Sequence, residues 1–185
     1  MKKILASIIA CAIITSCGQN KTSNEQPVAD TASAAVSSEM MQEAPPYDAS
    51  QIDSNAPVTG LTIKARGDNM ADMSFDQAEL RVKEGTTVIL TLINESKDAS
   101  MQHNFVLIQR GTADKVAAEG VKVGDNHYFT PQIPEVLTST MMVAPGNSDA
   151  VTFPAPPVGE YEFICTYPGH YMKMRGKFIV EPKAS

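Results

Sequence analysis

Downstream of Val58 the chain alternates apolar and polar residues in short runs, with Gly, Pro, Asn and Asp gathered between them. A period of two sends successive side chains to opposite faces, so these runs fold as half-buried strands rather than as helices. The pattern predicts strands near 59–66, 78–83, 86–94, 104–109, 137–143, 149–154, 160–166 and 176–182. In the 160–166 run, Tyr161, Phe163 and Cys165 share one face while Glu160 and Glu162 take the other. The same parity turns Phe178 and Val180 inward and Lys177 and Glu181 outward. Only residues 112–122 carry a helical pattern, with Val116, Ala117 and Val121 as its apolar side, and Gly120 keeps that helix short. Seven or eight short strands with one helical insertion make an all-β, two-sheet Greek-key sandwich.

Residues 58–185 are long enough for one such domain to bury roughly two-thirds of its unfolded surface. They hold 12 basic and 15 acidic residues, with no basic stripe interleaved with aromatics, so nucleic acid is not an expected partner. No Gly-rich phosphate loop follows a strand and no nucleophile elbow occurs. The sequence therefore points away from an enzyme with a small-molecule substrate.

The N-terminus reads as an export signal. Lys2 and Lys3 precede an apolar run at 4–14, which is too short for a bilayer span of about 20 residues. Next come Ile14, Thr15, Ser16 and Cys17, an aliphatic residue, two small ones and a cysteine. That order resembles the bacterial lipobox, and the resemblance implies cleavage before Cys17 and acylation of its sulfur. Residues 1–16 are then the signal peptide. Residues 17–57 are the lipidated cysteine and a tether rich in Ser, Ala, Asn, Gln and Pro, which bears one basic residue against six acidic ones. Such a composition buries too little apolar area to offset the entropy of ordering. The Met40-Met41 pair within it reads as incidental. The expected location is outside the cytoplasm, lipid-anchored to a bacterial membrane and facing the periplasm.

The chemistry concentrates in one loop. Cys165-Thr-Tyr-Pro-Gly-His170-Tyr-Met-Lys-Met174 sets a thiol, an imidazole and a thioether at offsets of zero, five and nine. With cysteines only at 11, 17 and 165, Cys165 is the sole thiol of the folded region. An unpaired thiol in an exported protein is open to oxidation unless a metal holds it as thiolate. A thiolate, two imidazoles and a weak axial thioether form a trigonal copper site suited to one-electron chemistry. His103, in Met-Gln-His-Asn-Phe-Val-Leu, is the second imidazole. Strands deliver His103 and Cys165 to one end of the sandwich, and Pro168-Gly169 turns His170 back toward them. Met172 is the competing thioether at offset seven. Zinc is the competing metal; it disfavours a thioether and would need His127 as a fourth ligand, yet His127 lies in a polar turn, Gly124-Asp-Asn-His-Tyr.

The segments MQHNFVL and CTYPGHYMKMRG resemble the two copper motifs of the azurin family, and are similar also to those of the auracyanins. The similarity runs in order and spacing across nearly all of residues 58–185. It implies a cupredoxin-like fold and one type 1 blue copper ion per chain, held in a plane by His103, Cys165 and His170. Met174 is then the axial thioether, and the backbone carbonyl of Gln102 the opposite, weak contact. Gln102 stands where azurins usually carry glycine, and no cysteines remain for the azurin N-terminal disulfide. Asn104 resembles the family residue that pins the Cys loop to the His103 strand. The backbone N–H groups of Asn104 and Tyr167 are the implied donors to the Cys165 sulfur.

The function this implies is a membrane-tethered electron-transfer protein that cycles Cu(II)/Cu(I) between periplasmic redox partners, such as cytochromes or terminal reductases and oxidases. The outer edge of His170 is the expected electron port. Pro168, Tyr171, Met172 and Met141-Met142 form an apolar docking patch around it, unless Met141 and Met142 are strand core. A periplasmic copper chaperone or store is the alternative, though a single Cys on a strand-fixed loop suits rapid metal exchange poorly. A multicopper enzyme needs more than three histidines. An adhesive sandwich with coincidental ligands is the remaining reading.

Overall fold

The computed structural model describes residues 46–183, and in it the expected strands form and pair. Among the described residues the order is β1 (Val58–Arg66), β2 (Ser74–Phe75), β3 (Glu79–Lys83), β4 (Thr87–Asn94), β5 (Val106–Gln109), α1 (Ala113–Val123), β6 (Val136–Ser139), β7 (Ser148–Pro154), β8 (Gly159–Ile164) and β9 (Arg175–Glu181). The two-residue β2 was not signalled by alternation, which needs several residues to register. The expected strand at 137–143 ends early, at Ser139, and Val143 rejoins only as an isolated bridge to His103.

The strands make two sheets, ordered β2-β1-β4-β7 and β3-β9-β8-β5-β6. β1 pairs with β4, and β3 with β9, in parallel. Those pairings join strands that are not hairpin neighbours, so the chain crosses between sheets in a Greek-key sandwich. Ile63, Leu90, Leu92, Phe105, Phe153, Phe163 and Phe178 fill the space between the sheets, all fully buried. Burying each such side chain contributes about 1.5–3 kcal/mol, which makes this layer the main support of the fold.

A second apolar cluster explains why β8 departs from simple alternation. Phe163 faces the core, while its neighbour Ile164 is buried on the outer face with Val106, Ile108, Ala113, Val116 and Ala117 of α1. The helix therefore covers the outside of the β5–β8 pair. Val121, expected on its buried side, is instead 55 % exposed. The buried stripe is Ala113, Val116, Ala117 and Gly120, and at about 100° per residue Val121 falls roughly 90° from its centre.

Register fixes the two ends of the sandwich. The start of β5 and the end of β8 meet at Val106 and Ile164, and the end of β4 meets the start of β7 at Ile93 and Ser148. The opposite end holds Thr87 and Pro154. Residues 46–57, part of the stretch whose composition reads as tether, lie against that second end. Tyr47 Oη donates to the Pro154 carbonyl at 2.8 Å, Thr87 N–H donates to the Pro57 carbonyl at 2.8 Å, and Ala49 packs on the core. Residues 1–45, with the signal, Cys17 and Met40-Met41, lie outside the described residues. No helix among the described residues is long and apolar enough to cross a membrane.

Candidate metal centre

His103 lies three residues before β5, in a segment fastened at several backbone points. His103 and Val143 exchange both backbone hydrogen bonds, at 3.1 and 2.7 Å. Asn94, fully buried at the end of β4, donates through Nδ2 to the carbonyls of Met101 (2.8 Å) and Val143 (2.9 Å), and accepts from Ser96 N–H at 3.0 Å. Thr140 and Phe105 are joined twice: Phe105 N–H donates to Thr140 Oγ1, and Thr140 N–H to the Phe105 carbonyl, both at 3.0 Å. Asn94 and Thr140 were not singled out from the sequence. A buried Asn at a strand end is a weak signal until its partners, up to 49 residues away, are known.

Cys165 follows the last residue of β8, and the loop after it closes on itself. Cys165 N–H donates to the Met174 carbonyl at 2.9 Å, and Met174 N–H to the His170 carbonyl at 2.9 Å. Gly169 adopts φ +82°, a region that disfavours side chains, and so supplies the reversal expected of Pro168-Gly169. The neighbouring 67–73 loop supports it from outside. Lys173 Nζ donates to the Ala71 carbonyl, and Met70 lies where a Cβ on residue 169 would stand 3.0 Å from its Cε.

These two segments bring His103, Cys165 and His170 together. The Cys165 Sγ lies 3.8 Å from His103 Nδ1 and 3.7 Å from His170 Nδ1, and the two nitrogens are 3.1 Å apart. The point equidistant from all three atoms of that triangle is about 2.1 Å from each, a bonding distance for a first-row metal ion. Cys165 and His103 are 0 % exposed and His170 1 %. Among the described residues no carboxylate joins this group. Met174 is fully buried in the same core cluster as Cys165, whereas Met172 is 66 % exposed. Gln102 is partly buried, and its N–H donates to the Ser100 carbonyl at 3.1 Å.

The electrostatics suit a cation. Burial pushes the Cys165 thiol up to about 12, while the N–H groups of Asn104 and Tyr167 donate to its sulfur and pull the other way. Burial, and secondarily its neighbour His170, bring His103 down to about 4; burial alone does the same for His170. Near neutral pH, before a metal binds, the site thus offers two uncharged imidazoles with free lone pairs, and one thiol proton for a cation to displace. Nε2 of His103 is buried without a hydrogen-bond partner among the described residues, and the ring's segment is held by its backbone bridge to Val143. A soft thiolate and two imidazoles, with no carboxylate joining them among the described residues, fit copper better than zinc, which favours a fourth nitrogen, thiolate or carboxylate.

Around the triangle, Asn104 spans the two segments. Its Oδ1 accepts from Thr166 N–H at 2.9 Å, and its Nδ2 donates to Thr166 Oγ1 at 2.8 Å. The same amide reaches the Tyr128 carbonyl and Thr130 Oγ1, each at 3.2 Å. Met141, offered as either core or surface, is half-exposed, with its N–H on Asp149 Oδ2. Asp125–His127 form a short 3-10 turn, in keeping with the polar-turn reading of the backbone around His127.

The family of copper binding proteins of the plastocyanin/azurin type matches residues 61–181. Auracyanin-A of Chloroflexus aurantiacus is 37 % identical over 129 residues, covering 68 % of this chain and 76 % of that protein. Outer membrane protein H.8 of Neisseria meningitidis is 31 % identical over 111 residues, covering 57 % of this chain and 61 % of its own length. Among solved structures, dithionite-reduced auracyanin of Roseiflexus castenholzii superposes with a TM-score of 0.61 at 35 % identity, covering 68 % of this chain and 99 % of its own. Fold, donor set and sequence converge, and the chain belongs to the plastocyanin/azurin family of copper-binding proteins, with one type 1 copper per chain as its cofactor.

Proposed function

We propose that this chain is a membrane-tethered blue copper electron carrier serving periplasmic redox proteins. The observation that carries the reading is the closed triangle of Cys165 Sγ, His103 Nδ1 and His170 Nδ1, with every donor residue buried. His103, Cys165 and His170 would hold the copper, with the Met174 thioether and the Gln102 carbonyl as weaker donors. Bound copper supplies a one-electron Cu(II)/Cu(I) couple. The chain's part is to hold that ligand set nearly unchanged through the cycle, to exclude water, and to stabilise the thiolate through the Asn104 and Tyr167 N–H groups. A carrier must also release its partner quickly, which suits a small apolar contact at the exposed Pro168, Gly169 and Met172.

The tether rests on the lipobox-like Ile14-Thr15-Ser16-Cys17, with residues 1–16 as signal and 58–185 as the copper domain. The relative named outer membrane protein H.8 supports a membrane location. Residues 46–57 dock at the end remote from the ligands. Two measurements test the proposal. Redox titration of the copper-loaded chain is expected to follow a single reversible one-electron wave, and mass spectrometry of protein from bacterial membranes is expected to find acyl chains on an N-terminal Cys17. A copper centre that cannot be cycled contradicts the carrier; an unacylated, unprocessed N-terminus contradicts the tether.

A further inference from the structure

We propose that the Tyr128–Phe129 turn is a positioning device for the copper loop, with Phe129 as the residue through which it acts on the metal's electron-transfer behaviour. The inference rests on the copper reading above. Tyr128 and Phe129 are consecutive non-glycine residues in the left-handed region, at φ 52° and 55°. Glycine is the residue that takes such angles without strain, so two bulky aromatics there must be overruled by their surroundings. Tyr128 N–H is held by the Asp125 carbonyl and Phe129 N–H by the Gly124 carbonyl, both at 3.0 Å.

The turn reaches the copper loop by two routes. On the polar side, the Tyr128 carbonyl takes one of the Asn104 amide hydrogens, while Asn104 holds Thr166 beside the thiol. On the aromatic side, the Phe129 ring meets Tyr167 edge-to-face at 5.2 Å, and Tyr167 leans on the His170 ring at 4.7 Å. The seat is Gly120 of α1. A Cβ there would stand 2.4 Å from the Phe129 carbonyl oxygen and 3.5 Å from Thr166 Cβ, so no side chain fits without displacing the turn. This also explains a glycine in the buried stripe of a helix, where it lowers helix propensity. Helix, turn and ligand loop thus form one packed stack. A loop gripped at Thr166 and Tyr167 moves little between the two copper oxidation states, and small movement speeds electron exchange.

The test uses the full copper-loaded chain and compares Gly120→Ala, Phe129→Leu, Phe129→Tyr and Lys122→Gly. Lys122 is exposed on the last turn of α1 and, among the described residues, pairs with Glu119 alone, so its variant weakens the helix without touching the turn. Gly120→Ala and Phe129→Leu are expected to slow electron self-exchange by about tenfold, with an altered Cu(II) hyperfine splitting and a shifted reduction potential. Phe129→Tyr, which keeps the ring against Tyr167, and Lys122→Gly are expected to retain wild-type values. Should Gly120→Ala fail to fold, Phe129→Leu, which introduces no clash, decides alone. Wild-type exchange, potential and spectrum in Phe129→Leu, or equal changes in Lys122→Gly, overturn the proposal. A wild-type chain without a blue band overturns the copper reading instead.

Discussion

Asn104 and Thr166 bind each other in both directions across 62 residues of sequence: Thr166 N–H donates to Asn104 Oδ1 at 2.9 Å, and Asn104 Nδ2 donates to Thr166 Oγ1 at 2.8 Å. Both residues are buried, and each is next in sequence to a proposed ligand. Asn104→Ala strands the Thr166 N–H and hydroxyl and leaves the Tyr128 carbonyl with the Thr130 hydroxyl as its remaining donor. The expected cost is about 2 kcal/mol or more, read as a lower denaturation midpoint of the metal-free chain, together with a broadened Cu(II) spectrum in the loaded one. A wild-type midpoint contradicts this role.

Copper uptake is expected to release about one proton near pH 7. The thiol, pushed up to about 12, is protonated in the metal-free pocket, whereas the imidazoles, brought down to about 4, are already neutral. Apparent affinity should therefore rise about tenfold per pH unit between roughly 5 and 8. Calorimetry in buffers of different ionisation enthalpy counts the protons; two or more released at pH 7 contradicts the assignment.

The same imidazoles set the acid behaviour of the metal-free chain. Their folded values lie below the ordinary value of 6.5, so on acidification the unfolded chain takes up protons first. Stability is thus full above about 6.5 and falls as pH drops toward about 4. Equilibrium denaturation at stepped pH is expected to show that fall, and a smaller one in the double variant His103→Phe, His170→Phe.

Met174→Leu is expected to raise the reduction potential by about 60 mV, tenfold in the redox equilibrium, because losing a weak donor disfavours Cu(II) more than Cu(I). Met172→Leu, at a 66 % exposed position, is expected to leave it unchanged. Voltammetry on both variants decides between the thioethers.

Tyr47→Phe removes the hydrogen bond to the Pro154 carbonyl and is expected to cost about 1 kcal/mol without altering the visible spectrum. Because Tyr47 sits at the end of the sandwich away from the ligands, a spectral change would contradict the placement of the two ends.

Much of this was legible in the sequence because it is local. Alternation marks a strand without knowledge of its partner, so β1, β4, β7, β8 and β9 stood close to their predicted bounds. Three of the proposed ligands share one ten-residue loop, and His103 carried its own motif. What depended on distant contacts was hidden. Asn94 is an ordinary strand-end polar residue until Met101 and Val143 come within reach. Gly120 reads as a weak point in a helix until the Phe129 carbonyl presses on it. Tyr47 looked like tether because composition cannot show a single hydrogen bond to Pro154.

The most direct test is visible absorption and electron paramagnetic resonance of the full chain loaded with Cu(II), beside Cys165→Ser. The expected result is an intense blue thiolate-to-copper band with a narrow hyperfine splitting, absent from Cys165→Ser. A folded, zinc-free wild-type chain that binds Cu(II) without that band, or a Cys165→Ser variant that keeps it, contradicts the account.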